Sequence, residues 1–450
     1  WQLGQHQEAI TTLEGVLGRK NLEAADKARA LEVLGLAQLD ADRAKDARLT
    51  FQRALQGEID AAAKARIAFN LGEATSELEL WREAADAYGL ASNAAMGVKD
   101  DALTGDALYG AVVALHELGE HQASVTMAGR IVDALPKHRL AIEARFARAE
   151  GLFALKNFDA AQDDYAKLPA GHDLEARASF KHAWCAYLGG RAAEAATRFE
   201  AVAASESPFA EEALSLAVLA SYQAKDADRA LVGADRYYAR YKDGGAFLAR
   251  TERVAAQVLA ARDQLDAAAT RVARAAAAEK DVAQRDADLL QVAEFSFRRR
   301  DYEAARASYA KIAKAKDDVG AKALQGLAWC AFELGDDAAC ATGVEAALAH
   351  PAIGDGAASM LELVSSLHHR AGRFDEAEIA ARSFLNRFPK HARAPELRYA
   401  LGVALARRER HAEALEVFAA LSRDAKARAA LERPDRLDYE LAWTLRKLGK

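Results

Sequence analysis

Leu71-Gly-Glu-Ala-Thr-Ser-Glu-Leu-Glu79-Leu-Trp-Arg-Glu-Ala84-Ala-Asp-Ala-Tyr88 carries a pattern that returns through the whole chain. Gly72 is small, Glu79 is turn-like, Ala84 is small again and Tyr88 is a large ring. Working outward, the turn position recurs at Gly4, Asp42, Gly119, Lys156, Gly190, Lys225, Asp263, Arg300, Gly335, Gly372, Glu409 and Gly449. The small residue after it recurs as Ala9, Ala47, Ser124, Ala161, Ala195, Ala230, Ala268, Ala305, Cys340, Ala377 and Ala414. The mean step is about 37 residues, a period that signals stacked repeats.

The site before the turn is mostly small as well: Gly35, Val112, Ala149, Ala183, Val218, Ala256, Ala293, Ala328, Ser365, Gly402 and Ala442. Glycine inside a helix costs about 1 kcal/mol relative to alanine, so its use here predicts a close backbone approach. The unit therefore reads as two helices, A before the turn and B after it, closed on each other through small residues. Further along helix B stand Phe51, Tyr88, Tyr165, Phe199, Val272, Tyr309, Val344 and Phe418, on a helical stripe that fills the next layer. Pro136, Pro169, Pro208, Pro351, Pro389, Pro395 and Pro434 all fall between a helix B and the next helix A. None interrupts a helix interior, where each would cost about 3 kcal/mol. Ser207-Pro208 and Ala394-Pro395-Glu396 read as helix starts.

Composition agrees. Alanine makes up about a quarter of the chain, aromatics only 7%, and no alternating run reads as a strand, so an all-α fold is expected. The net charge of −6 is small for 450 residues and its signs are interleaved, which is not a nucleic-acid footprint. No apolar run approaches the roughly 18 residues of a membrane span. Cys185 and Cys330 lie in the near-identical strings Ala183-Trp-Cys-Ala-Tyr and Ala328-Trp-Cys-Ala-Phe of two different repeats. They and Cys340 are expected to be small buried residues rather than disulfide partners. The pattern predicts one continuous solenoid over residues 1–450, with incomplete first and last repeats, as in a segment of a longer chain. The least regular repeats fall at about 205–280, where the Ala-rich stretch from Ala267 to Ala278 suggests a longer helix.

The motif resembles the tetratricopeptide repeat. The matching residues are Leu71-Gly72, Ala84 and Tyr88; Gly119 and Pro136; Gly372, Ala377 and Pro389; and Leu401-Gly402, Ala414 and Phe418. The resemblance runs from end to end and implies a right-handed superhelical solenoid of about twelve helix-turn-helix repeats. The family's usual period is matched only from Lys156 to Gly190; the other steps are longer. The stretch Phe384 to Gly402 resembles repeats of bacterial cell-envelope factors, such as the outer-membrane-assembly lipoprotein and the Tol–Pal coordinator, which implies a periplasmic or cell-envelope setting.

No Gly-rich phosphate loop, His-Glu-x-x-His or Cys-x-x-Cys is present, so neither catalysis, a cofactor nor a metal is expected. His368-His369, near Glu362 and Asp375, diverge around a helix and do not converge on a metal. The resemblance implies that selected helix-A positions line an inner wall that holds a protein or peptide partner. Those positions give Phe69, Tyr109, Phe146, Phe153, Arg177, Phe180, Trp184, Tyr187, Tyr222, Arg250, Arg253, Phe297, Trp329, Phe332, Tyr399, Tyr439 and Trp443. Trp184, Trp329 and Trp443 share one position. Each ring has a competing role in sealing the joint to the next repeat. The expected function is a non-enzymatic scaffold or adaptor in a multi-protein assembly. The alternatives are a regulatory or targeting region of a larger enzyme, and a polysaccharide- or RNA-binding solenoid; the sequence pI of about 6.1 argues against RNA.

Overall fold

The computed structural model describes residues 6–19 and 21–450, so the expected turn at Gly4 and the opening Trp1 lie outside it. The described residues form helices joined by short turns, with no strand among them. The chain packs as two compact units, Trp1–Gly233 and Ala234–Lys450, with the boundary inside one helix.

The first unit begins with a helix B, α1 (His6–Leu17). Pairs A and B follow as α2 (Ala24–Leu39) with α3 (Ala44–Leu55), and α4 (Ala61–Glu77) with α5 (Trp81–Gly97). Next come α6 (Asp101–Glu117) with α7 (His121–Ala134), and α8 (Ala141–Ala154) with α9 (Phe158–Tyr165). The unit continues through α10 (Glu175–Leu188) and α11 (Ala192–Ala203) to α12 (Ala210–Gln223). Helix α13 (Ala227–Tyr241) carries the boundary.

The second unit continues with α14 (Leu248–Ala261) and α15 (Leu265–Ala278), then α16 (Val282–Arg298) and α17 (Tyr302–Ile312). They are followed by α18 (Asp318–Glu333) with α19 (Asp337–Ala349), α20 (Gly356–Arg370) with α21 (Phe374–Arg387), and α22 (Ala394–Arg407) with α23 (His411–Arg423). A short α24 (Ala425–Ala429) precedes the last helix A, α25 (Pro434–Lys447).

Backbone geometry explains the turns. All twelve described turn residues, from Asp42 to Gly449, have φ between 55° and 78°. At each, the next residue donates its N–H to a carbonyl five residues back, as Arg43 does to Gln38 and Leu80 to Thr75. This left-handed stop satisfies carbonyls that the end of helix A would otherwise leave open. Seven of these positions are not glycine: Asp42, Glu79, Lys156, Lys225, Asp263, Arg300 and Glu409.

The small residues close the pairs. Ala47, Ala84, Ser124, Ala161, Ala195, Ala230, Ala268, Ala305, Cys340, Ala377 and Ala414 are all 0% exposed. Opposite them, a Cβ on Gly35, Gly72 or Gly402 would lie within 2.5 Å of the Phe51, Tyr88 or Phe418 ring. Gly110 of the next helix A meets Tyr88 from the other side, so one ring is gripped by two backbones. Ser124 uses its hydroxyl to bond the Val112 carbonyl at 3.1 Å.

Two features hold one repeat to the next. Ion pairs span about one period, including Glu32–Arg66, Arg48–Glu83 and Arg253–Asp288. Histidines staple the joints. The Nδ1 of His138 and of His350 accepts an N–H two residues on, and the Nε2–H donates to the carbonyl of Ala102, in the first turn of α6, or of Ala315, in the joint before α18. His172 and His391 make the same Nδ1 contact.

Some local expectations change. Ala267–Ala278 lies in a helix of 14 residues, close to the lengths of its neighbours α12, α13 and α14, and is not lengthened. The helix expected at Ser207-Pro208 starts at Ala210, because Ser207 and Pro208 form a preceding turn. Of the two longest steps, one comes from α5, which runs to Gly97 and stops at Lys99 in the left-handed region. The other comes from α24, capped by the Asp424 side chain and absent from the two-helix expectation.

Candidate functional site

Several successive helices A touch: α2 on α4, α4 on α6, α6 on α8, and α16 on α18, α18 on α20, α20 on α22. The residues at the expected helix-A positions lie on helices A from α4 to α25. They do not share one environment.

Phe146 and Phe180 are buried and are corrected to core residues. Phe146 meets Tyr165 edge-on at 5.7 Å; Phe180 stacks on Phe209 at 4.8 Å and meets Phe199 at 5.9 Å. Both sit where a helix A turns toward its own helix B and the next joint. Phe69, Tyr109, Phe153, Trp184 and Tyr187 are half-buried, while Arg177 and Tyr222 are exposed. Phe69 leans on Tyr88 at 5.6 Å, and Trp184 and Tyr187 both lean edge-on against Phe199. Such ring pairs add about 0.5–1.5 kcal/mol beyond area burial, which holds Phe69, Trp184 and Tyr187 against the buried rings behind them.

In the second unit Arg250, Arg253, Phe297, Trp329, Phe332, Tyr399 and Trp443 are half-buried and Tyr439 is 66% exposed. Arg253 is not free to anchor a partner: it bonds Asp288 and also Glu279. Trp329 donates its Nε1–H to Ser359 at 3.0 Å, and Arg370 lies 4.0 Å over the Phe332 ring. Phe297 and Trp329 line a depression of about 510 Å³ between α16, α17 and α18. Tyr399 and Tyr439 line a second, of about 500 Å³, between α20, α22 and α25. This one is polar, with Glu362, Arg393, Arg407 and Glu440 around it. Arg393 bonds Glu362 at 2.8 Å and Arg407 bonds Glu440 at 3.2 Å.

A carboxylate on helix A does not stand out from the helix-A positions alone. Glu73 accepts the Tyr88 hydroxyl and Glu150 accepts that of Tyr165. Glu294 and Tyr309 line one depression at the same spacing. The three repeats with Tyr at the helix-B ring position all carry Glu in helix A. The repeats with Phe there carry Leu36, Trp184 or Val403 instead. The signal was therefore available as a paired substitution between repeats. Burial, then the neighbouring carboxylate, raises both the Tyr88 and Tyr165 hydroxyls far above the ordinary tyrosine range. Glu150 is also approached by Arg177 and Lys181 at 3.4 Å, and these cations lie over Phe146 and Phe153.

Burial pushes the Cys185 thiol up to about 12 and those of Cys330 and Cys340 up to about 11, so none is a ready nucleophile. Burial and Arg198 push His182 down to about 4. Among the described residues no cluster of His, Cys, Asp and Glu could hold a metal ion, and no helix is long and apolar enough to cross a membrane.

No protein-family model and no curated protein matches the chain. Solved structures similar to it include a tetratricopeptide repeat protein from Parabacteroides merdae, at 17% identity and TM-score 0.34, covering 59% of this chain and 98% of that one. The APC/C hetero-tetramer Cut9–Hcn1 matches at 12% identity and TM-score 0.34, covering 99% of this chain and 94% of that one. The Naa15/Naa10 complex bound to HypK-THB matches at 14% identity and TM-score 0.47, covering 99% of this chain and 65% of that one.

Proposed function

We propose that this chain is a scaffold that holds a protein or peptide partner on its helix-A face. The observation that carries this reading is the row Phe153, Trp184, Tyr187 and Tyr222. These rings are half-buried or exposed, and Trp184 and Tyr187 are braced from behind by the buried Phe199. Half-buried or exposed rings held by packing supply contact area at low entropic cost, the usual character of an interface hot spot. Arg177 and Lys181 beside them add charge for orientation. A bacterial cell-envelope setting belongs to the same proposal and rests on the likeness of residues 384–402.

The test is affinity capture of partners by the full chain, compared with a Trp184→Ala, Tyr187→Ala, Tyr222→Ala variant. The expected result is loss of the partner with the helical CD signal retained. Equal capture by the wild type and a folded variant would remove these rings from the interface.

A further inference from the structure

We propose that the cavity bounded by the end of α13, the following loop, the start of α14 and the end of α15 binds a phosphate group. It measures about 690 Å³ and lies within the second unit. Lys242, Arg250, Arg253, Arg274 and Lys280 line it, against the single carboxylate of Glu279. These cations differ in commitment. Arg253 is held by Asp288 and Glu279. Arg274 lies 3.7 Å from the buried Glu252 and 4.0 Å over the Tyr238 ring. Lys242 and Lys280 are exposed and make no ion pair among the described residues. Two unpaired lysines at one concavity match the charge of a phosphate dianion, whereas a carboxylate would balance only one.

The cavity has a built frame. Gly244 sits at φ 139°, a conformation that favours glycine. A Cβ at Gly245 would lie 2.8 Å from the Tyr241 carbonyl and 2.7 Å from the Tyr237 hydroxyl. Tyr237 is fully buried, and its hydroxyl accepts the Phe247 N–H at 2.9 Å. The loop is thereby fixed, and α14 begins at the cavity with no side-chain cap on its first turn. The partial positive charge there adds to that of the lysines. The depression between α10 and α11 differs: Glu175 and Glu206 line it beside Arg198. Arg250 and Arg253 belong also to the helix-A positions, but Lys242 and Lys280 do not, so the lysine variant tests this site apart from the partner row.

The test is calorimetric titration of the full chain with inorganic phosphate, against chloride at matched ionic strength. Saturable binding is expected, weakened at least tenfold in a Lys242→Gln, Lys280→Gln variant whose ligand-free melting temperature is unchanged. A phosphoserine peptide and its unphosphorylated twin separate the sources of the group. Tighter binding of the phosphopeptide than of free phosphate assigns the site to a phosphorylated partner; equal affinities assign it to a free phosphate. No saturable binding of either, or wild-type affinity in the lysine variant, overturns the proposal.

Discussion

Helices α8, α10 and α12 of the first unit carry Phe146, Phe153, Phe180, Trp184, Tyr187 and Tyr222, whereas α20, α22 and α25 of the second carry Glu362, His369, Tyr399, Arg407 and Tyr439 around one depression. Rings fill the joints of the first set, with Phe180 sealed between Phe199 and Phe209. In the second set, Arg393–Glu362 and Arg407–Glu440 link the helices around a depression of about 500 Å³. The contrast teaches that closure of a repeat and chemistry of its face are separable. Ala161 and Ala195 in one region, and Ala377 and Ala414 in the other, are equally buried. Identical A/B closure thus leaves the opposite stripe of helix A free to vary.

The largest expected effect sharpens this contrast. Phe180→Ala should cost about 3–5 kcal/mol in urea unfolding, as a buried ring does. Tyr439→Ala, exposed in the second set, should stay within about 0.5 kcal/mol. Equal losses in both would break the distinction. Next, Ala161→Leu and Ala414→Leu should each cost about 1–3 kcal/mol by overpacking the A/B contact. A melting temperature unchanged in either would show that the two regions do not share one closure.

Acid separates ionic from aromatic joints. Burial alone would raise the Glu378 carboxyl, but bonding from Arg382 and the charge of Arg410 override it and hold it below its ordinary value. A folded value below the unfolded one gives stability above the unfolded pKa of about 4.3, lost as pH falls through the folded value. Glu378→Gln should therefore cost about 1–3 kcal/mol at pH 7 and less as pH falls toward 3, measured as urea stability at each pH. A constant difference across that range would remove this carboxylate from the acid response. The smallest effect is at the turns. Lys156→Gly and Glu409→Gly should each stabilise by about 1 kcal/mol, since both residues sit in the left-handed region. A loss of melting temperature would show that their side chains matter more than their backbone strain.

Much of the architecture was legible in residue order. The turns at Glu79 and Gly372 and the small residues at Ala84 and Ala377 lie one after another in the chain, and a helix converts that spacing directly into a face. The extra helix α24 was less legible, because Ala425–Ala429 is helical in composition like everything around it. The Glu73–Tyr88 and Glu150–Tyr165 pairs were visible only when positions on two helices were compared together.

The sequence by itself determined the repeat, its register and the all-helical class, because periodicity, glycine and proline act through local backbone geometry. Tertiary structure alone decided that Phe180 is core while Trp184 stays half-buried, and that Arg253 is held by Asp288 and Glu279. It also brought Lys242 and Lys280 to one cavity. Each of those outcomes depends on what packs against a side chain from another helix or loop, and spacing along one helix carries no record of that neighbour.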